Sequence, residues 1–327
     1  MKRTLLLLPV ILSGCAGVQS ALDAQGQSAI LLRNLIFVIV IVCSIVWLAV
    51  MAMLFWALLR RDRPKPEDSR TDKPMQTAVI AAVAATVVII TGLTVASFYT
   101  TRGLGPVPDV DVTIRVRAQQ WWWQFTYEDR EPVHAFQTAN EIHIPVGKNV
   151  RVLLESIDVI HSFWVPSLAG KQDLIPGREN VLTLRAEKPG FYRGQCAEFC
   201  GLQHSHMAFV VIAEDEQNYR QWEATQRATP SEPREAEALA GKAVFMARQC
   251  SACHTIRGTQ ATGISGPDLT HVGSRMTIGA GLMENSRGSL AAWIADPQTL
   301  KPGNSMPLVP LSAQELRQIS AYMESLK

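Results

Sequence analysis

The length, composition and charge of the chain limit what it can be. Its 327 residues exceed one ordinary domain, and 31 lysines and arginines nearly balance 29 aspartates and glutamates, for a formal charge of +2. This balance gives no indication of nucleic-acid binding, and the six cysteines fall in separate contexts that do not make one disulfide framework.

The chain begins with the pattern of a bacterial export signal. A basic start, a short apolar centre and small residues precede Cys15. Leu12-Ser-Gly-Cys15 also resembles a lipobox, so we predict that residues 1–15 are a signal peptide with a lipobox and that Cys15 is lipidated outside the cytoplasmic membrane. A plain signal, or an uncleaved leader with an incidental cysteine, is the alternative.

Two apolar stretches follow, at residues 35–59 and 75–99, and neither contains a charged residue. Each is long enough to cross a bilayer core as a helix, so we predict a transmembrane hairpin within residues 30–100. The segment between them is short and rich in lysine and arginine, as expected of a cytoplasmic loop, which puts both flanks on the outer side. Cys43 is predicted to pack among helices or lipid.

Residues 108–215 have the pattern of half-buried β-strands. Apolar residues alternate with polar ones at 110–116 and 142–146, and further β-rich segments are separated by proline and glycine turn signals. The pattern predicts a small antiparallel β-sandwich.

The loop before the last predicted strand holds a dense set of soft ligands. Cys196, Cys200, His204 and Met207 lie within twelve residues, and thiolates, imidazole and thioether together suit copper. A second cysteine four residues after the first lets both sulfurs bridge two copper ions, which indicates electron transfer. By itself the upstream His161 would be structural, and this cluster makes it a candidate ligand. A disulfide between the two cysteines is the alternative.

Tryptophans also cluster after the first predicted strand, at Trp121, Trp122 and Trp123. Core packing explains part of this cluster, but an exposed tryptophan here could receive an electron, and Trp121 is the candidate. Three other histidines have no comparable context and are predicted to be ordinary surface or strand residues: His134, His143 and His206.

A polar, proline-bearing linker at 224–234 leads into a second module, residues 235–327. It contains Cys250-Ser-Ala-Cys253-His254, the covalent attachment pattern of c-type haem, in which both thiols add to vinyl groups and the histidine ligates iron. Zinc binding or thiol exchange is the alternative, but zinc would need a second pair of ligands.

The sixth iron ligand is predicted downstream. Met306 lies on a proline-flanked loop, whereas Met276 and Met283 lie in a glycine-rich segment and are weaker candidates. An opening helix at 235–248 and a closing helix, marked by a Ser312 and Glu315 capping box, predict a compact all-helical module. The closing helix carries an apolar stripe for packing: Leu316, Ile319, Met323 and Leu326.

These features together resemble subunit II of a cytochrome c oxidase with a fused class I-like cytochrome c domain, and the resemblance covers nearly the whole chain. It is carried by four motifs besides the haem pattern: Asp158-Val-Ile-His161, Lys171-Gln-Asp173, Pro176-Gly-Arg178 and Gly194-Gln-Cys196-Ala-Glu198-Phe-Cys200-Gly. The resemblance implies a dinuclear copper A centre with these ligands: His161, Cys196, Cys200, His204 and Met207 by their side chains, and Glu198 by its backbone carbonyl.

The resemblance also implies that the sandwich is cupredoxin-like, and it implies roles beyond the copper ligands. The Glu198 carboxylate would reach a Mg²⁺ ion shared with subunit I, Trp121 would take in the electron, and Gly241, Phe245 and Tyr322 would lie where two helices cross. The expected partners are oxidase subunits I and III and an external donor such as a cytochrome c. The expected place is the bacterial cytoplasmic membrane, with both modules on the periplasmic side.

The function that this resemblance implies is electron entry into a respiratory oxidase. Electrons would pass from the donor through haem c and copper A to subunit I, where O₂ is reduced to water with proton translocation. Two alternatives are a copper A domain that feeds another reductase, such as one acting on nitrogen oxides, and a membrane-anchored copper chaperone or redox sensor. The paired apolar stretches argue against the first, and the haem pattern argues against the second.

Overall fold

The computed structural model describes residues 16–60, 72–105 and 107–327. The described parts of Met1–Ala29 and Pro106–Lys327 form one compact unit, and those of Ile30–Gly105 form another. The predicted signal peptide with Cys15, and most of the predicted cytoplasmic loop, lie outside the described residues.

The smaller unit consists of two long helices, α1 (Gln27–Leu59) and α2 (Asp72–Arg102). They have 33 and 31 residues, enough to cross a bilayer core, and their most apolar windows have no buried residue. Large side chains such as Trp47 and Phe55 are exposed along α1. An apolar surface of this size needs a membrane or a partner around it. The two predicted apolar helices are confirmed, and each extends beyond its predicted stretch.

The larger unit contains a β-sandwich with five strands in each sheet. The strand order is β3-β2-β1-β5-β8 in the first sheet and β4-β10-β9-β6-β7 in the second. In chain order the strands are Val112–Gln119 (β1), Trp122–Glu128 (β2), Phe136–Ala139 (β3), Glu141–Pro145 (β4), Val150–Ser156 (β5), His161–Trp164 (β6), Gln172–Leu174 (β7), Asn180–Leu184 (β8), Gly190–Cys196 (β9) and Ala208–Glu214 (β10).

The predicted sandwich is confirmed, but it is not purely antiparallel. Strand β1 pairs with β5, and β4 with β10, in the parallel direction, whereas the other pairs in the sandwich are antiparallel. Three strands intervene between β1 and β5, so no hairpin forces them to run oppositely. Side-chain alternation, which is the same for both directions, could not reveal this.

An aromatic core lies beneath the loop that carries the predicted copper ligands. Trp123, Phe163 and Phe209 are fully buried, and the ring of Trp123 lies edge-on to those of the two phenylalanines, with centroids 6.0 and 5.1 Å away. Close packing of large rings in a core restricts the backbone above it. The core therefore gives the loop a rigid base.

The second predicted module, residues 235–327, is called the haem module from here on. It follows a helix that was not predicted from the sequence. Helix α3 (Glu216–Arg227) is capped by Asp215, whose side chain accepts a hydrogen bond from Asn218 N. Residues 224–227 of the predicted linker are the last turn of this helix. The later elements are α4 (Ala236–Ala247), a ribbon of β11 (Thr277–Ile278) with β12 (Met283–Glu284), α5 (Arg287–Ala295), α6 (Pro297–Leu300) and α7 (Ala313–Ser325).

Helices α4 and α7 cross closely, and the residues assigned to this crossing lie there. A Cβ atom on Gly241 would lie 2.0 Å from the carbonyl oxygen of Gln318, so only glycine permits this approach. The rings of Phe245 and Tyr322 meet edge-on, with centroids 6.0 Å apart. The Ser312 and Glu315 capping box is confirmed, and the predicted stripe of α7 packs into the module's core.

Candidate metal and haem sites

The predicted copper ligands converge at one end of the sandwich. The Sγ atoms of Cys196 and Cys200 lie 3.7 Å apart, and each has an imidazole nearby: His161 Nδ1 is 3.8 Å from the first sulfur and His204 Nδ1 is 3.6 Å from the second. Met207 Sδ lies 3.9 Å from Cys200 Sγ. Three further donor side chains thus surround the pair of sulfurs, which makes five donors in all.

Strands β6 and β9, together with the loop that follows β9, set the positions of the five predicted ligand side chains. His161 begins β6 and Cys196 ends β9. The N–H of Cys196 donates to the carbonyl of Met207 at 2.9 Å, which closes the loop on itself. A one-turn 3₁₀ helix, His204–His206, turns His204 back toward Cys200. Rigid strands therefore hold two ligands, and the closed loop holds the other three.

The spacing fits metal ligation and not a disulfide. A disulfide needs sulfurs about 2.05 Å apart, whereas these are 3.7 Å apart, and both cysteines are free. Donors bound to one ion at about 2.0–2.3 Å in a tetrahedral arrangement lie about 3.3–3.8 Å from each other. The sulfur–sulfur and sulfur–nitrogen distances here are 3.6, 3.7 and 3.8 Å. His161, Cys196 and Cys200 also form a buried group of potential metal ligands within 4.8 Å.

The electrostatics of the sulfur pair favour a cation. The hydrogen bond with Cys200 lowers the pKa of Cys196, and the same hydrogen bond, with burial, raises the pKa of Cys200. Two thiolates this close repel each other, so the second proton is held firmly. A metal cation between the sulfurs would offset that repulsion, because ligation deprotonates thiols.

The backbone carbonyl of Glu198, assigned by resemblance as a further ligand, is directed into the same space. Its oxygen lies 3.2 Å from Cys196 Sγ. The carboxylate of Glu198 is half-buried at the surface of the loop.

Asp158 completes the site. It begins the motif Asp158-Val-Ile-His161, but no role was predicted for it. Its Oδ1 lies 2.8 Å from His161 Nε2, so the ring's other nitrogen, Nδ1, is directed toward the sulfurs. A carboxylate on the outer nitrogen fixes the tautomer and strengthens a histidine ligand. The i,i+3 spacing of an acid before the histidine was the available signal.

We predict that Asp158→Asn lowers copper affinity by about 10- to 100-fold, the usual cost of losing such a partner. The measurement is a chelator competition titration of the copper-loaded protein. Asp109→Asn, an exposed acid outside the site, is the control and should leave the affinity unchanged. Equal affinities in the two variants would show that the carboxylate does not support His161.

Trp121 connects the copper ligands to the haem module. Its indole Nε1–H donates to the carbonyl of Cys200 at 3.0 Å, and the ring also lines the cavity described below. An exposed tryptophan is the expectation from the sequence, but Trp121 is only 8% exposed. The loop around Gly303 covers it: a Cβ atom on Gly303 would lie 3.5 Å from Cη2 of the indole.

A cavity of about 210 Å³ lies between the haem module and the sandwich. Cys253, His254 and Met306 line it from the haem module, and Cys250 belongs to the one-turn helix beside it. The sandwich contributes part of the wall: Gln120, Trp121, Trp122 and Asn140. Two of the three residues of the haem-attachment pattern, Cys253 and His254, and the candidate sixth ligand therefore line one cavity.

The immediate surroundings of His254 fit an iron ligand. Its Nδ1 lies 2.8 Å from the carbonyl of Pro267, which accepts the ring N–H and leaves Nε2 free. Burial lowers the pKa of His254, which favours the neutral ring that a metal needs. Gly266 lies against the ring, where a Cβ atom would be 2.6 Å from Cε1.

Polar groups in the cavity wall also suit the carboxylates of a haem. Arg275 lines the cavity and donates to the carbonyl of Asp268. Thr277 lines it too, and its buried Oγ1 has no hydrogen-bond partner among the described residues. The sequence analysis singled out neither residue, because an isolated arginine or threonine gives no pattern.

Among the three candidate methionines, Met306 is the one that borders the cavity. It lines the cavity at the end of a loop, residues 301–306, that we call the methionine loop. Met276 and Met283, the weaker candidates, do not line this cavity. Met276 is 42% exposed, and Met283 packs against the module's core.

For Met306→Ala we expect complete loss of the thioether-to-iron charge-transfer band in the far red, with the haem still covalently attached. Optical spectra of the oxidised protein measure this. Met276→Ala is the control and should keep the band. A band that persisted in Met306→Ala would move the assignment to another methionine.

Comparison with known proteins identifies both modules. The family described as "Cytochrome C oxidase subunit II, periplasmic domain" matches residues 132–214, and the family described as "Cytochrome c" matches residues 238–327.

Relatives resemble the chain over almost its whole length. "Cytochrome c oxidase subunit 2" of Alkalihalophilus pseudofirmus is 37% identical, over 98% of this chain and 95% of the relative. The protein of the same name in Bacillus subtilis is 27% identical, over 99% and 96%. Among solved structures, the periplasmic domain of subunit II of cytochrome oxidase from Bradyrhizobium japonicum is 32% identical, with a TM-score of 0.35, over 37% of this chain and 97% of that one.

Proposed function

This chain belongs to the cytochrome c oxidase subunit 2 family, and on that premise we propose that it is the subunit through which electrons enter a respiratory haem-copper oxidase. The family's periplasmic domain and the cytochrome c domain imply copper A and haem c. The proposed route runs from an external donor through haem c and copper A to subunit I, where O₂ is reduced to water with proton translocation.

The observation that carries this proposal is the position of Trp121. Its indole donates a hydrogen bond to Cys200, a proposed copper ligand, and the same ring forms part of the wall of the cavity that contains His254 and Met306. One side chain therefore contacts both candidate redox sites. Such a contact favours transfer between the two sites within the chain.

Each residue of the two sites has a proposed task. When bound, haem c and the copper pair would each take up and release one electron at a time. The side chains of His161, Cys196, Cys200, His204 and Met207, with the Glu198 carbonyl, would hold the copper pair. Cys250 and Cys253 would attach the haem, and His254 and Met306 would ligate its iron. A fixed ligand set limits rearrangement between oxidation states.

The fusion of the two modules has a kinetic consequence. Because the haem module is tethered to the sandwich, its effective concentration there reaches roughly the millimolar range of short linkers. Electron delivery to copper then needs no collision with a separate cytochrome, and only reduction of the haem depends on an external donor.

We further propose how the subunit is placed in its complex. Helices α1 and α2 anchor it in the bacterial cytoplasmic membrane, with both modules on the periplasmic side, against subunits I and III. The Glu198 carboxylate holds a Mg²⁺ ion shared with subunit I. Lipidation of Cys15 supplies a further membrane anchor.

The test is isolation of the membrane complex that contains this chain. We expect two copper ions and one covalent haem in this subunit, a haem-copper subunit beside it, and oxygen consumption with reduced cytochrome c. A complex that consumed no oxygen, or that lacked a haem-copper subunit, would refute the oxidase assignment. Electron paramagnetic resonance that reported one isolated copper ion would refute the dinuclear centre.

A further inference from the structure

A buried lysine joins the haem module to the sandwich. Lys301 is 2% exposed, and its Nζ donates hydrogen bonds of 2.8 Å to three carbonyl oxygens, those of Trp121, His206 and Gly279. Trp121 and His206 belong to the sandwich, and Gly279 belongs to the haem module. One ammonium group therefore ties three backbone segments together at the joint between the modules.

The surroundings of this ammonium are unusual. Lysine is rarely buried fully unless it is paired, and among the residues that the structure describes no carboxylate forms an ion pair with Lys301. Burial lowers the pKa of Lys301 to about 7. The three carbonyl oxygens favour the charged form, because only an ammonium offers three N–H donors. A small shift of the joint would leave a buried donor unpaired, which is costly, so this contact specifies one arrangement.

A series of hydrogen bonds in the methionine loop connects Lys301 to Met306. Asn304 Nδ2 donates to the carbonyl of Lys301 at 2.8 Å, and Asn304 Oδ1 accepts a hydrogen bond from Met306 N, also at 2.8 Å. Gln298 Nε2 donates to the carbonyls of both Asn304 and Met306. The loop between the lysine and the methionine is thus fixed by the side chains of Asn304 and of Gln298 in helix α6.

The same loop lies directly on the proposed electron path. Gly303 packs against the indole of Trp121. The carbonyl of Pro302 accepts a hydrogen bond of 2.9 Å from Gln203 Nε2, which belongs to the loop at residues 196–207 that carries the predicted copper ligands and that we call the copper loop. The hydrogen bonds of Lys301 therefore set the position of the methionine loop relative to Trp121, in addition to stabilising the loop.

We propose that Lys301 is a positioning residue for electron transfer, which holds the methionine loop of the haem module against Trp121 so that the haem and copper sites keep a fixed separation. The inference rests on the proposed function, because it concerns the transfer step between these two sites. Lys301 itself contacts neither the copper ligand side chains nor the reacting atoms, and acts through the backbone that it holds.

The test measures the haem-to-copper transfer rate in the purified oxidase complex after flash photoreduction of haem c. Lys301→Met keeps the apolar stem and removes the donors, and we expect the rate to fall by about tenfold or more, because small misplacements of reacting groups have large kinetic effects. The far-red methionine band and the copper spectrum should stay unchanged. Lys301→Gln, which keeps two N–H donors, should give an intermediate rate.

Lys242→Met is the matched control. Lys242 forms an ion pair with Glu232 away from the joint, so its loss should not change the rate. A wild-type rate in Lys301→Met would overturn the inference alone. Loss of haem c or copper from both Lys301 variants would also overturn it, by assigning Lys301 to folding. A wild-type complex without any haem-to-copper transfer would refute the proposed function and this inference together.

Discussion

Replacing Cys200 with serine should abolish the mixed-valence copper spectrum and the oxygen reduction of the complex, while haem c remains attached and reducible. Cys200 has three proposed partners close to it: Cys196 Sγ, His204 Nδ1 and Met207 Sδ lie 3.7, 3.6 and 3.9 Å from its sulfur. A serine oxygen is a harder and less polarisable ligand, and it is not deprotonated readily, so it cannot replace a bridging thiolate. Electron paramagnetic resonance and oxygen consumption measure the two losses.

The chain offers a matched control for this substitution. Cys43 is also a free cysteine, but it is exposed on helix α1, so Cys43→Ser should keep both the copper spectrum and the activity. Reduction of haem c by an external donor should be the same in both variants, because the Cys250, Cys253 and His254 attachment is untouched. Normal turnover in Cys200→Ser would exclude a bridging role for its sulfur.

The features that the sequence predicted well are those that depend on short separations along the chain. Cys196, Cys200 and Met207 lie on one loop, and residues this close must meet once the loop closes. The capping box of Ser312 and Glu315 is local in the same way, because it spans a single helical turn. The length and composition of the two apolar stretches were sufficient to predict helices α1 and α2.

Features that depend on distant segments were harder to predict. By contrast, the hydrogen bond between Asp158 and His161 is local, and the i,i+3 spacing could have indicated it. The burial of Lys301 could not be predicted, because its partners Trp121, His206 and Gly279 are far from it in sequence. A lysine on a glycine- and proline-bearing loop predicts an exposed side chain. The side chain of Lys301 is buried only because the haem module docks against the sandwich.

The burial of Trp121 has the same origin. As part of the sandwich alone it would lie beside the copper loop, in the exposed position that the sequence analysis expected. The methionine loop of the second module covers it, so that an external donor does not reach this ring in the arrangement described here. Under the proposed function, the external donor would therefore contact the haem module and not Trp121.

This burial makes Trp121→Phe the sharpest test of the transfer path. We expect the haem-to-copper rate to fall on the order of a hundredfold, because the smaller ring loses both its hydrogen bond to the Cys200 carbonyl and its contact with the methionine loop, and rates are sensitive to displacements of about an ångström. The copper site should survive, because Gln120 Nε2 also donates to the Cys200 carbonyl, at 2.7 Å. Flash photoreduction of haem c, followed at the copper absorption, measures the rate.

Trp122→Phe distinguishes an effect of the electron path through Trp121 from an effect of the shape of the cavity wall. Trp122 lines the same cavity as Trp121, but within the described part of the chain its indole N–H has no hydrogen bond to the copper loop, so its loss should change the rate far less. If both variants slowed transfer equally, the effect would come from the shape of the haem cavity and not from a specific route through Trp121. If neither did, electrons would reach copper without this ring, and the contact between Trp121 and Cys200 would be structural only.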